Sequence, residues 1–177
     1  MQIDQPIQSA RLQLRNLTSE DAESSYLSWL HDPQINQYLE IRHNLPDLEG
    51  LIEYVNQMNA SPDDLLLGIC TKSGLHIGNI KLGPIDVDNQ RGAIGILIGA
   101  RDWWGKGIAT EAIRAMTDFA FGNLSLHRVE AGCYASNMGS ARAFEKAGWS
   151  IEGRRTHRRH VDHGWEDEIL LGCVSST

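Results

Sequence analysis

The stretch "IGILIGARDWWGKGIATEAI" constrains the fold of this chain more than any other. A β-branched run ends at Gly99, a loop follows, and Gly105, Lys106 and Gly107 open a segment whose apolar residues recur at helical spacing: Ile108, Ala112, Ile113, Met116, Phe119 and Ala120. A strand must therefore turn into a long helix, predicted over Gly107 to Phe121. Glycines at such a joint let a ligand come close to the backbone, and the first amides of a helix have no partner within it, so the joint suits a phosphate. The plainer reading is that the glycines only shape the turn.

Two familiar phosphate-binding patterns fit poorly. The phosphate loop of nucleoside triphosphatases ends in a Gly-Lys pair followed by Ser or Thr, whereas here five residues separate Gly99 from Gly105, and Gly107 follows Lys106. A dinucleotide-binding turn wants Gly or Ala where Thr110 stands, although Glu130 falls near the distance expected of a ribose-binding acid. The segments before the turn also read as an antiparallel meander, which argues against a doubly wound parallel sheet and leaves dinucleotide binding a minor alternative.

Elsewhere the pattern is regular. Leu12, Leu14 and Leu17 alternate with polar residues as an opening strand. "TSED" then reads as a helix start, with Thr18 as cap and Asp21 at the third helical position of a capping box, ahead of a helix carrying Ala22, Tyr26, Trp29 and Leu30. Asp32 and Pro33 suggest a second cap with proline in the first helical position, opening a short helical piece through Tyr38. Leu48, Leu51, Ile52, Val55 and Met58 give one apolar helical face. Leu65 to Thr71 and His76 to Leu82 read as antiparallel strands about a "KSG" turn, with Arg91 to Gly99 as a third. After the central helix come a strand over Arg128 to Tyr134, a short helix over Gly139 to Ala147, and strands over Trp149 to Gly153 and Trp165 to Val174. This order predicts an α/β (α+β) fold, a mixed sheet covered by helices.

With 177 residues, 41% of them hydrophobic, the chain fits one domain spanning 1–177, and only residues 1–8 read as loose. A net charge of −7 argues against a nucleic-acid partner. No run approaches the roughly 20 apolar residues of a membrane span, so no membrane partner is expected. Cys70, Cys133 and Cys173 are odd in number, far apart and set in apolar stretches, as in reduced proteins of the cytoplasm, the expected location.

"WGKGIA" at Trp104 to Ala109 resembles the pyrophosphate-binding signature of the GNAT superfamily of N-acetyltransferases, with Trp104 in the place usually held by Arg or Gln. "NMGSARAFEKAGWSIEG" resembles that superfamily's second cofactor motif, with Asn137, Ser140, Phe144, Glu145, Lys146, Gly148, Trp149, Glu152 and Gly153 in register. Within the superfamily, the chain is most similar to the branch containing the ribosomal-protein serine/alanine N-terminal acetyltransferases. The resemblance implies a mostly antiparallel central sheet, flanked by helices, in which two parallel strands splay apart to admit the pantetheine arm of acetyl-CoA. Those strands would be Arg91 to Gly99 and Arg128 to Tyr134. Backbone groups of Ile96, Leu97 and Ile98 would hold the arm, amides of Trp104, Gly105, Lys106, Gly107, Ile108 and Ala109 the pyrophosphate, and Asn137, Ser140 and Phe144 would complete the cofactor site.

The chemistry so implied is direct acetyl transfer to an amine acceptor, either a protein N-terminus or a small molecule such as an amino sugar. A free alkylamine, with a pKa of about 10, is almost wholly protonated near neutrality, so a proton must be removed, and the departing thiolate needs an acid. Relatives often carry a glutamate base where this chain has Ala93. Glu130, on the other splayed strand and on the same face as Gly132 and Tyr134, is the first candidate base; its structural alternative is an ion pair with Arg128. Glu111 suits the dipole of a first helical turn better than it suits catalysis. Many relatives have a tyrosine as thiolate acid where this chain has Phe144; the resemblance to the N-terminal acetyltransferases implies that Ser140 takes this role, its structural alternative being a first-turn or capping residue, and Tyr134 is a second possible donor.

Cys133 and His127 stand six residues apart on one strand, about 20 Å, too far for a nucleophilic dyad, so Cys133 reads as core. "RRTHRRHVDHG" gathers His157, His160 and His163 beside Asp162 in a predicted hairpin loop whose spacing does not converge ligands, so no metal is expected. Its arginines, Arg154, Arg155, Arg158 and Arg159, could attract an acidic acceptor, while Trp29, Tyr38 and Arg42 could line an acceptor pocket. With base and acid both missing from their usual positions, a catalytically weak acyl-CoA-binding module is the rival reading. Exposed strand edges allow a homodimer as well as a monomer.

Overall fold

A computed structural model describes residues 1–161 and 164–176. The chain opens with β1 (Ile7–Gln8) and β2 (Leu12–Asn16). Residues expected to be loose are tied down: Ile7 pairs with Leu14, and Ile3 exchanges hydrogen bonds with the Asn16 amide at 3.0 and 2.8 Å. Backbone pairing and one internal amide give these residues partners that composition does not reveal.

Helix α1 runs through α-helical Ser19–Asp21, a π-helical segment Ala22–Tyr26 and α-helical Leu27–His31. The expected box forms at its start, where the Asp21 carboxylate accepts the Thr18 amide at 2.8 Å. Asp32 then caps α2 (Pro33–Asn36), accepting the Gln34 amide at 2.8 Å with proline in the first turn. A 3-10 turn, Glu40–His43, leads to α3 (Leu48–Ala60), capped by Asp47.

Strands β3 (Leu65–Thr71), β4 (His76–Asp86) and β5 (Arg91–Ile98) form the meander; helix α4 (Ile108–Gly122), β6 (Arg128–Tyr134) and α5 (Met138–Lys146) follow. The long hairpin β7 (Ser150–Val161) and β8 (Gly164–Val174) ends the fold. The eight strands form one sheet in the order β1-β2-β3-β4-β5-β6-β8-β7, antiparallel except for the β5–β6 pair.

β3 is buried along its whole length because helices cover both faces of the sheet. Leu65, Leu67 and Ile69 point into one core with Ile108, Ile113 and Met116 of α4, while Leu66 joins Tyr26, Trp29, Leu51 and Val55 in a second core under α1 and α3. Gly99 is where the second core meets the central turn: a Cβ there would lie 1.9 Å from the Trp29 ring.

The segment expected as a hairpin loop is instead strand. β7 continues to Val161, with a bulge between Arg155 and Arg159, because Arg154 pairs with Asp167 at 2.5 Å, Arg155 with Glu168 at 3.2 Å, and Arg159 also with Glu168. These arginines answer carboxylates of β8 rather than a soluble anion. His163 and Asp162 lie outside the described residues, and among those described no group of three or more His, Cys, Asp or Glu is placed to hold a metal.

Candidate active site

β5 and β6 pair only from Arg91↔Arg128 to Ala93↔Glu130. Beyond that level β5 stays bonded to β4 and β6 to β8, so the two strands diverge and one edge of each faces a gap. A cleft of about 620 Å³ fills the gap, within the range of small-ligand sites. Ile96, Leu97 and Ile98 line one wall; Gly132, Cys133 and Tyr134 line the other.

The glycine turn closes one end of the cleft. Gly105 and Gly107 have φ of 71° and 74°, and Gly107 caps α4 in the left-handed region, a conformation that a side chain disfavours. Nothing lies within 4 Å of a Cβ built on Gly105, so the turn leaves open space beside its backbone. The first bonded amide of the helix is that of Glu111, donating to the Gly107 carbonyl, which leaves the preceding amides of α4 without helical partners. Glu111 does not oppose an anion there. Ser9 Oγ, the Arg11 amide and Arg11 Nε hold its carboxylate at 2.6–2.7 Å, and although burial acts to raise its pKa, these donors bring it below the usual value.

Trp104, Gly105, Gly107, Ile108 and Ala109 line the cleft, and the Trp104 indole ties the turn to β5 by donating to the Ile98 carbonyl at 2.7 Å. Lys106 is not among the lining residues. Its ammonium lies over the Trp103 ring, 5.6 Å from the centroid, and its carbonyl accepts from Arg11 at 2.9 Å. Asn137, Ser140 and Phe144 line the opposite side. Asn137 caps α5 by accepting the Ser140 amide at 3.1 Å, Ser140 stands in the first turn with its hydroxyl against the Cys133 thiol, and Phe144 packs on Trp149 with centroids 4.7 Å apart. Cys133 belongs to the core, and burial pushes its thiol pKa up.

Glu130, the expected base, lies outside the cleft. It sits at the last level where β5 and β6 are still paired, its side chain is 42% exposed, and Arg128 approaches it at 3.5 Å. The periodicity that placed it on the face of Tyr134 holds, but the gap opens only above it.

A second cavity of about 580 Å³ adjoins the first, sharing Leu39, Glu40, Gly95, Ile96 and Leu97. Tyr26, Leu30, Leu51, Tyr54 and Leu66 form its apolar wall. Tyr38 lines the first cavity, whereas Trp29 is core. At the junction the Tyr134 hydroxyl donates to Glu40 Oε1 at 2.6 Å and accepts from Arg42 at 2.8 Å, with the Arg42 and Arg159 guanidinium groups 5.1 and 5.3 Å from the ring centroid. Burial and the Glu40 bond push the phenol pKa up. Burial also acts to raise the Glu40 pKa, but Tyr134, Arg159 and Arg42 outweigh it and hold the carboxyl below its usual range. Sequence reasoning passed over Glu40; its one signal was its place between Tyr38 and Arg42, in the segment read as acceptor-lining.

Residues 11–150 match the family described as acetyltransferase (GNAT) domain. Over 146 residues the chain is 30% identical to "Uncharacterized N-acetyltransferase p20" of Bacillus licheniformis, covering 81% of each chain. Over 71 residues it is 45% identical to "Probable N-acetyltransferase YjcK" of Bacillus subtilis (strain 168), a match that covers 40% of this chain and 39% of that protein. The fold superposes on spermidine N-acetyltransferase from Vibrio cholerae, solved with CoA and spermine, with a TM-score of 0.86 at 20% identity, covering 95% of this chain and 98% of that one.

Proposed function

The chain belongs to the GNAT family of acetyltransferases, and from that premise we propose that it moves the acetyl group of acetyl-CoA directly onto a primary amine while both substrates are bound. The observation that carries this reading is the gap between β5 and β6, closed at one end by the glycine turn and adjoined by a second cavity at the other. The free edge of β5 over Ile96 to Ile98 suits an arm carrying amide groups, since strand edges pair with such groups. The open turn at Gly105 and Gly107, with the bare first amides of α4, suits a diphosphate. Both features fit acetyl-CoA, whose thioester is the activated acyl group.

The amine acceptor occupies the second cavity. Tyr134 is the donor to the departing sulfur: it lines the cleft, and its raised pKa keeps the phenol protonated. Ser140 is the second candidate donor. The resemblance to ribosomal-protein acetyltransferases favours a protein N-terminus, and the Vibrio neighbour a polyamine; the mostly apolar wall of the second cavity favours a small amine over either. The protein works in the cytoplasm as a single domain, monomer or homodimer.

Acetyl-CoA and a panel of amines, including peptides beginning with Ser or Ala, spermidine and apolar monoamines, test this by release of free thiol. Amine-dependent release is the expected result. Tight acetyl-CoA binding with no release for any amine would leave only an acyl-CoA-binding module.

A further inference from the structure

Among the described residues lining the two cavities, Glu40 is the single carboxylate, and it lines both. Its side chain is 61% exposed, so protons can pass between it and water. Arg159 donates to the same Oε1 atom at 2.7 Å as Tyr134 does, which fixes the carboxylate at the junction. Beyond it the second cavity holds no further carboxylate among the described residues. Its wall is mostly aliphatic and aromatic, with Asn44 and Asn79 as uncharged polar members, and its other charged member, Lys81, is a cation held by Asp64 at 2.8 Å.

Resting on the acetyl-transfer reading above, we infer that Glu40 is the catalytic base for the acceptor amine, and that the acceptor is a monoamine carried on an apolar body. The acceptor enters as an ammonium ion against Glu40 and loses one proton to solvent. As the amine nitrogen bonds to the thioester carbonyl carbon and the carbon–sulfur bond breaks, the nitrogen passes a second proton to the Glu40 carboxylate. The Tyr134 hydroxyl gives its proton to the sulfur, and Glu40 returns the proton it holds to the Tyr134 oxygen along the 2.6 Å hydrogen bond. Amide and thiol leave, and both side chains end as they began. A polyamine would place a further ammonium in the apolar wall beside Lys81, an unpaired buried charge that is costly.

The test uses 2-phenylethylamine and spermidine as acceptors, with thiol release followed in the wild type and in Glu40→Gln, Glu40→Asp, Tyr134→Phe and the Glu40→Gln/Tyr134→Phe double variant. The monoamine should be preferred in kcat/KM. Glu40→Gln should lower kcat about 100-fold, the size of a general-base effect, while acetyl-CoA affinity by calorimetry stays within about twofold, and Glu40→Asp should recover part of the rate. Because the two side chains form one relay, the double variant should be no slower than the slower single variant. A merely structural Glu40 would instead shift melting temperature and acetyl-CoA affinity with little change in kcat. Full turnover in Glu40→Gln, additive losses in the double variant, or a preference for spermidine each overturns this inference while acetyl transfer stands. Absence of thiol release in the wild type overturns both.

Discussion

Asp21 illustrates how a single buried charge carries stability in this protein. Arg15 grips its carboxylate with two bonds of 2.7 Å, and only 5% of the residue is exposed. Burial by itself would raise its pKa, but Arg15 and the Thr18 amide more than offset this, and the carboxyl sits below its usual value of 3.8. With the folded pKa depressed, the unfolded chain takes up the proton more readily. The stabilisation is therefore complete above an unfolded pKa of about 3.9 and is lost as pH falls through the folded value. Urea unfolding should show Asp21→Asn less stable than the wild type at pH 7, with the difference shrinking below about pH 4. A difference that stays constant down to pH 3 would mean that Asp21 does not act through its charge. The Glu40 carboxyl is also held low, by Tyr134, Arg159 and Arg42, and stays ionised through the neutral range.

At the scale of elements, the turn between β5 and α4 is held from outside as much as by its own glycines. The Trp29 ring of α1 rests against Gly99 so closely that any Cβ must displace ring or strand. Gly99→Ala should lower unfolding free energy by about 1–3 kcal/mol, the usual range for overpacking. It should also weaken acetyl-CoA binding, because the strand end that leads into the turn would shift; a variant with wild-type stability would show that the contact relaxes freely. The elements legible in the sequence are those whose signals are local. Asp32 caps the helix it was expected to cap, and β6 spans the predicted residues. The π-helical segment in α1 and the continuation of β7 beyond Gly153 escaped, because the first leaves the helical apolar pattern nearly unchanged and the second is tied by carboxylates supplied by β8.

For the whole molecule, the consequential feature is that one parallel pair interrupts an otherwise antiparallel sheet and then parts. A ligand spanning that gap ties β5, β6 and the start of α4 together and binds only the folded chain. Acetyl-CoA at about 100 times its dissociation constant should stabilise the fold by about 2.7 kcal/mol, a rise of about 5–10 °C in melting temperature for a chain of this size. Gly107→Val, which puts a β-branched residue at a φ of 74°, should abolish most of that rise. If the variant keeps the full shift, the turn does not hold the diphosphate.

The sequence by itself determined the strand, glycine turn and helix at the centre, most element boundaries and the family, because left-handed glycines, helix caps and apolar periodicity are written in neighbouring residues. Of the residues it singled out, Ile96, Leu97, Ile98, Gly105, Gly107, Ile108 and Tyr134 line the cleft. Only the tertiary structure decided which carboxylate lines the cleft. Glu130 stands below the level at which the two strands part and so does not line the cleft, whereas Glu40 is brought to Tyr134 across 94 residues of chain. Such contacts depend on how distant elements pack, and no local pattern encodes that distance.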